Sequence, residues 1–312
     1  MTKILVTGAA GFIGSNLVET FLNQGHKVIG IDNDYKNHKH LKNVISNHNF
    51  DMFWKDIKEI NNFKNLFGKI DIVYHMAAAS DIKRSAVDTK WDLEENVIGT
   101  HVILEFMREE NIKNLVFAST SVVYGENAPR PTPENCPDRF PISQYAASKI
   151  SAEAFIHAYA NLYGIKAWIF RFANVVGKHQ HRGVIYDFVH KLQKNQKELE
   201  ILGNGNQLKS YFHVSDCING ILYAVEKDKN KNVETYNLAV KDTITVTELA
   251  DIVCNQLGVK PDYKYTGGDR GWQGDVPKIS LVVDKIFKLG WRPKYNCKEA
   301  IRKSVGEINV YM

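Results

Sequence analysis

A short apolar run, Lys3–Thr7, leads straight into Gly8-Ala9-Ala10-Gly11-Phe12-Ile13-Gly14, and a helical pattern begins inside those glycines and continues to Gln24. Few features restrict a fold so strongly. Glycine is needed where backbone must turn with positive φ or lie against another segment of chain. A helix that starts there presents its first N–H groups, and a partial positive charge, to whatever lies in front of it. Strand, glycine turn and helix in that order form the opening of a βαβ unit with an anion site at the helix N-terminus.

The alternation continues along the chain. Lys27–Ile31, Asp71–His75, Asn114–Ser119 and Lys166–Phe172 are compact runs rich in Ile, Val and Phe, and they are uniformly apolar, as strands covered on both faces should be. Helical patterns lie between them at Phe12–Gln24, Trp91–Glu110 and Ser143–Tyr163. This order predicts an α/β fold with a doubly wound parallel sheet of the Rossmann type. After about Asn174 the pattern loosens. Short strands at Glu200–Leu202, Ser210–Val214 and Thr235–Leu238 mix with helices near Ser215–Glu226, Thr247–Leu257 and Lys298–Ile308. We expect two domains: 1–174 binding a nucleotide, and a smaller mixed α/β substrate domain over 175–312, with some exchange of chain between them. Pro129–Pro141 reads as a loop ahead of the Ser143–Tyr163 helix.

Bulk composition narrows the function classes. The 312 residues carry a formal charge of +5, and no run of like charges resembles a nucleic-acid arm. Cys136, Cys217, Cys254 and Cys297 are far apart and form no Cys-x-x-Cys pair, so they read as free thiols rather than a disulfide frame or a metal site. The N-terminus enters a strand at once, and no stretch of 18 apolar residues occurs. We expect a cytoplasmic protein without nucleic-acid or membrane partners.

The glycine turn implies a dinucleotide. Gly8, Gly11 and Gly14, with the N–H groups of Phe12 and Ile13, would face its pyrophosphate. Asp32 ends the second strand 18 residues after Gly14, where a carboxylate accepts hydrogen bonds from both ribose hydroxyls and repels a 2′-phosphate. NAD is therefore favoured over NADP. Asp32 also fits a turn or cap, since Asn33 and Asp34 follow it. Asp56, next to Ile57, can reach an adenine amino group or cap a helix. Ala77-Ala78-Ala79, after the fourth strand, supplies small residues where a cofactor would lie on backbone, or makes a tight turn.

Tyr145 and Lys149 stand four apart on a helix and so share one face. A cation beside a phenol favours the phenolate, and a phenolate near neutral pH can take a proton from an alcohol. The same spacing arises by chance on any amphipathic helix.

With Ala118-Ser119-Thr120-Ser121-Val122-Val123-Tyr124-Gly125 added to these two motifs, the chain resembles the extended short-chain dehydrogenase/reductase family. Phe170-Arg171-Phe172-Ala173-Asn174-Val175-Val176-Gly177 and Arg270-Gly271-Trp272-Gln273-Gly274-Asp275-Val276-Pro277 resemble the nucleotide-sugar 4-epimerases within it, in particular the short archaeal-type UDP-glucose (UDP-galactose) 4-epimerases.

That resemblance implies roles. Tyr145 would be the acid/base, with Lys149 binding the nicotinamide ribose and lowering the tyrosine pKa. Thr120, or Ser121 if the register shifts by one, would hydrogen-bond the sugar 4-hydroxyl. Asn96, Ser119 and Phe172 would join Asn33, Asp56, Ile57 and Ala77–Ala79 around NAD. Asn174, Lys209 and Arg270 would contact the diphosphate, and Asp275 the uridine ribose; an arginine fork suits phosphate oxygens. Lys209 stands where many relatives carry arginine. Dehydratases of the family place Asp-Glu after the threonine; here Ser121-Val122 follows, which favours epimerisation of UDP-glucose/UDP-galactose. UDP-N-acetylglucosamine and UDP-glucuronate remain alternatives, as does another nucleotide-sugar oxidoreductase of the family. Ile279 stands at a position that gates the hexose pocket, and it also fits a core residue. Homodimers, packed through the Trp91–Glu110 and Ser143–Tyr163 helices, are the family habit.

Overall fold

A computed structural model describes residues 1–228 and 232–311. The chain forms two compact units, each built from separate stretches of sequence. The first contains Met1–Ser119, Gln144–Phe170 and Asp228–Thr235. The second contains Thr120–Ser143, Arg171–Lys227 and Tyr236–Met312.

A seven-stranded sheet, most of it in the first unit, contains strands β1 (Lys3–Thr7), β2 (Lys27–Asp32), β3 (Phe50–Trp54), β4 (Ile72–His75), β5 (Asn114–Thr120), β6 (Lys166–Phe172) and β11 (Val233–Leu238), in the order β11-β6-β5-β4-β1-β2-β3. The ladders β3–β2, β2–β1, β1–β4 and β4–β5 are parallel. Ile4, Leu5 and Val6 on β1 are all buried, as are Leu115, Val116 and Phe117 on β5. Burial on both faces explains why these strands read as continuous apolar runs. Each large aliphatic side chain removed from water in this way contributes about 1.5–3 kcal/mol before conformational entropy is charged against it.

Helix α1 (Phe12–Asn23) buries Leu17, Val18, Phe21 and Leu22, one stripe at helical spacing. It ends at Gly25, whose φ of +77° suits a residue without a Cβ. Two expectations change here. The helix over Trp91–Glu110 is interrupted: an α turn at Thr89–Asp92 passes into a π turn at Leu93–Ile98 before helix α2 (Gly99–Glu109) begins. Asn96, whose side-chain contacts are described below, lies on this π turn. Thr235–Leu238 joins the large sheet, although Tyr236–Leu238 counts with the second unit. It lies in β11, whose approach begins with the Ala167 N–H donating to the Asn232 carbonyl beside β6. Helix α3 (Gln144–Tyr163) follows the proline-rich loop.

The second unit is mixed. Strand β7 (Asn174–Val176) pairs in parallel with β10 (Tyr211–His213), and β9 (Leu208–Lys209) lies between β12 (Ile244–Thr245) and β14 (Lys278–Ile279). A further pair joins β8 (Glu198–Ile201) to β13 (Asp262–Tyr265). Helices α4 (Val184–Lys194), α5 (Val214–Lys227), α6 (Val246–Leu257) and α7 (Cys297–Tyr311) complete it. Helix α6 shows clear sequence control at both ends. Thr245 and Glu248 form a reciprocal capping box, and Gly258 closes the helix in the left-handed conformation. Helix α4 was not anticipated from sequence. All four cysteines are buried free thiols. Among the described residues no helix is long and apolar enough to cross a membrane.

Candidate active site

The glycine turn is held by backbone contacts on two sides. A Cβ on Gly8, whose φ is +65°, would sit 2.7 Å from the Ala77 nitrogen; one on Gly14 would sit 2.0 Å from the Gly8 carbonyl oxygen. Gly8 is therefore fixed by the loop after β4, and Gly14 by contact between α1 and its own turn. Gly11, the N-cap, makes no side-chain cap, and no acidic residue occupies the first turn of α1. The leading N–H groups, including those of Phe12 and Ile13, are the kind of donor set that receives a pyrophosphate.

Asp32 accepts from the Ala10 N–H at 2.9 Å through Oδ2 and from the Asp34 N–H at 2.9 Å through Oδ1. Burial pushes its carboxyl up, while these backbone N–H groups pull it back. These turn contacts leave each oxygen a second lone pair free to accept from a ribose hydroxyl. Asp56 caps the short helix Ile57–Asn62 through the Lys58 N–H and also accepts from Asn33 Nδ2 at 3.2 Å. Ile57 is buried. The cradle and its donor set fit a dinucleotide.

Behind this cradle runs a buried polar chain. Ala77 N–H donates to Thr7 Oγ1, and the Thr100 hydroxyl donates to the Asn96 carbonyl. Those ends set the direction between them: Thr7 Oγ1–H to His75 Nδ1 at 2.7 Å, and His75 Nε2–H to Thr100 Oγ1 at 3.0 Å. His75 is consequently held neutral; burial, and secondly the charge of Lys149, push it down to about 3. Asn96 is 1 % exposed and spends its amide on the protein. Oδ1 accepts from the Ala79 N–H, and Nδ2 reaches the Ala79 carbonyl, Asp92 Oδ1 and Ser148 Oγ. Ser148 donates in turn to the Tyr145 carbonyl. Asn96, on the π turn, therefore ties the Ala77–Ala79 loop to the first turn of α3.

On that helix Tyr145 is half-buried and Lys149 is 2 % exposed. Lys149 Nζ donates to the Ala118 carbonyl at 2.9 Å and stands 4.6 Å from the centre of the Phe117 ring. Burial lowers it to about 8, against the opposing pull of Glu153 and Asp92. Glu153 accepts from Ser119 Oγ at 2.6 Å, so the Ser119 hydroxyl is engaged by the protein. His75, Asp92 and Glu153 were not singled out from sequence. The only signal for Glu153 was a carboxylate one helical turn beyond Lys149, which is equally the mark of a surface pair.

The second unit holds the remaining residues. Thr120 caps the turn Ser121–Tyr124 by accepting from the Val122 N–H at 3.4 Å, and Ser121 is buried. Arg171 donates to Tyr124 Oη, which donates to Asn237 Oδ1, a buried structural network that includes two motif residues. Phe172 and Ile279 are buried. Asn174 donates through Nδ2 to the Ser210 carbonyl at 3.1 Å. Lys209 Nζ lies 2.5 Å from Asp275 Oδ1, and the Gly271 N–H donates to Asp275 Oδ2. Lys209 and Asp275, expected to contact different parts of one ligand, are thus brought together as a buried pair. Arg270 binds Glu126 through both terminal nitrogens and the Asp275 carbonyl through Nη1. Arg270, Arg130 and Lys278 line a cavity of about 590 Å³ with Glu126, Asp269 and Gln207. Among the described residues no cluster of side chains is arranged to hold a metal.

A dinucleotide cradle and a buried Tyr-x-x-x-Lys helix on a parallel sheet define an NAD-linked enzyme of sugar or alcohol chemistry. The chain belongs to the NAD dependent epimerase/dehydratase family, whose model matches residues 4–239. It is 37 % identical over 308 residues to a Methanocaldococcus jannaschii protein assigned as a UDP-glucose 4-epimerase, covering 97 % of both chains. It resembles a UDP-galactose 4-epimerase structure with a TM-score of 0.87 and 34 % identity across all of both chains. A UDP-glucuronic acid 4-epimerase from Bacillus cereus, in complex with UDP-glucuronic acid and NAD, matches all of both chains with a TM-score of 0.91 at 27 % identity.

Proposed function

We propose that the protein catalyses 4-epimerisation of a UDP-hexose, interconverting UDP-glucose and UDP-galactose through a 4-keto sugar. The observation that carries this reading is the state of Lys149: a fully buried ammonium, lowered to about 8, one turn from a half-buried tyrosine. A cation so placed biases Tyr145 toward phenolate, the form that can accept the 4-hydroxyl proton. The glycine turn and Asp32 would hold NAD, which would supply the hydride acceptor and donor for C4. Once the 4-keto sugar has turned its other face, Tyr145 redelivers its proton to the C4 oxygen, and return of the hydride makes the cycle redox-neutral. Thr120 orients that hydroxyl, with Ser121 as the second candidate.

Gly8, Gly11–Gly14, Asp32, Asn33, Asp56, Ile57, Ala77–Ala79, Asn96, Ser119 and Phe172 form the cofactor side, within 1–174. Asn174, Lys209, Arg270 and Asp275 form the nucleotide-sugar side, mainly within 175–312. Arg270, on the rim of a cavity with two further cations, supports the diphosphate role. The Lys209–Asp275 pair supports an indirect role for Lys209, as the counterion that holds Asp275 in place.

Likeness to a UDP-glucuronic acid epimerase favours UDP-glucuronate as the second reading. We also infer a homodimer through α2 and α3, where Phe155, Leu162 and Tyr163 are exposed. Incubating the purified protein with UDP-glucose, and separately with UDP-galactose, without added cofactor tests the activity. Interconversion without NADH accumulation is the expected result. Net NADH formation, or product from UDP-glucuronate alone, would displace the reading.

A further inference from the structure

Glu153 has no part in the chemistry proposed above, yet it is 1 % exposed and lies one helical turn beyond Lys149. Carboxylates are rarely buried to this extent without a partner. It accepts from the Ser119 hydroxyl at 2.6 Å, a length typical of a bond to an ionised acceptor. Ser119 is the residue immediately before Thr120 on β5.

Lys149 needs an anion. Its ammonium is sealed from water, its hydrogen bond goes to the Ala118 carbonyl, and one side rests on the Phe117 ring. A buried ammonium without compensating charge sheds its proton. The titratable groups facing it are few. His75, at the end of β4, is fixed in its neutral form by Thr7 and Thr100. Tyr145 shares its helix. Asp92, from the turn before the π segment, has one oxygen bonded to Asn96 while Oδ2 is buried without a hydrogen-bond partner. Burial pushes the Asp92 carboxyl up, which makes it the weaker anion. Glu153 remains as the acid with a satisfied, buried carboxylate.

We propose that Glu153 is a positioning residue of the reaction: its carboxylate keeps Lys149 ionised beside Tyr145 and, through Ser119, fixes the end of β5 next to them. This rests on the reading of Lys149 given above. Glu153 touches neither substrate nor cofactor, so its removal should act on ionisation rather than on binding.

The test is the pH profile of kcat for the NAD-loaded enzyme and its Glu153→Gln variant, with NAD released on denaturation as a separate readout. Loss of the Lys149 proton forms the alkaline limb. Glu153→Gln should move that limb to lower pH by roughly one unit, the size of a close charge effect, at unchanged NAD content and KM. Tyrosinate absorbance, with Tyr145→Phe as the blank, should show Tyr145 ionising at higher pH. A variant whose kcat falls uniformly, with the limb in place, overturns the proposal and leaves Glu153 a structural acid. Ser119→Ala, which removes one hydrogen bond to the carboxylate, should shift the limb the same way by less. If Glu153→Gln does not fold, an unmoved limb in Ser119→Ala overturns the proposal in its place. Lys149→Met separates the two claims. If the wild-type limb survives that substitution, the reading of Lys149 is wrong. If Lys149→Met is inactive or lacks the limb while the limb stays in place in Glu153→Gln, only the assignment of Glu153 fails.

Discussion

Two buried lysines, one in each unit, behave in opposite ways. Lys209 is paired at 2.5 Å with Asp275 and sits 5.3 Å from the centre of the Trp272 ring. Lys149 is buried at least as deeply, but its direct acceptor is a neutral carbonyl, and its acids act through space. A close ion pair in a low-dielectric interior satisfies both charges and fixes a geometry. A cation held apart from its acids retains a field that can act on a neighbour. The first arrangement suits structure, and the second suits chemistry, at a cost in stability. Lys149, lowered from 10.5 to about 8, destabilises the folded state at neutral pH by about 3 kcal/mol.

Removing the group that Lys149 acts on should have the greatest effect. Tyr145→Phe keeps the ring and deletes the hydroxyl, so kcat should fall by about 10²–10⁴-fold, the usual contribution of a general acid/base. NAD recovered from the denatured variant should match wild type. Retained turnover would break the assignment of Tyr145. It would also leave the strained burial of Lys149 without a reason.

The same substitution at the two lysines separates their roles. Lys209→Met leaves Asp275 buried with only the Gly271 N–H, and losing one member of such a pair costs about 3–5 kcal/mol. Its denaturation midpoint should drop sharply. Lys149→Met should lose activity yet gain stability at pH 7, by less than about 3 kcal/mol because Glu153 and Asp92 lose their counter-charge, compared on NAD-free protein. The sign follows from linkage. Below pH 8 both folded and unfolded chains carry the proton, and the whole burial cost applies. From pH 8 to 10.5 only the unfolded chain keeps it, so wild-type stability rises with pH. The advantage of Met should therefore shrink across that window and vanish above it. A stability difference that does not change with pH would show that packing, not charge, sets it.

Much of the first unit was legible because its signals are local. Lys3–Thr7 and Lys166–Phe172 end where the apolar runs end, since burial on both faces leaves no polar alternation to blur the boundary. Gly8 and Gly14 were legible for the same reason: each answers to a contact within its own βαβ unit or with the adjacent loop. The π turn at Leu93–Ile98 was not, because it serves contacts from Asn96 to Ala79 and Ser148, at separations of 17 and 52 residues. Thr235–Leu238 was read as a strand, but its place in the seven-stranded sheet was not, for a related reason. A strand's own pattern says that it is a strand, not which sheet accepts its edge. In the second unit, 66 residues separate Lys209 from Asp275 and 144 separate Glu126 from Arg270. Sequence proposed both Lys209 and Arg270 as ligand contacts, but could not show that each already meets a carboxylate.

A third lysine marks the lower end of the comparison. Lys191 on α4 lies 3.0 Å from Asp187, one turn earlier, and 3.2 Å from Glu200 on β8, with its side chain 27 % exposed. It has two acids where Lys209 has one and Lys149 has none in direct contact. If pairing alone governed the outcome, Lys191 would matter most. Burial predicts the reverse, because water screens a half-exposed pair and solvates whichever partner is left behind. Lys191→Met should cost less than about 1 kcal/mol in chemical denaturation, and added salt should shrink even that. A loss as large as that of Lys209→Met would mean that the number of partners, rather than their removal from water, decides what a lysine contributes to this fold.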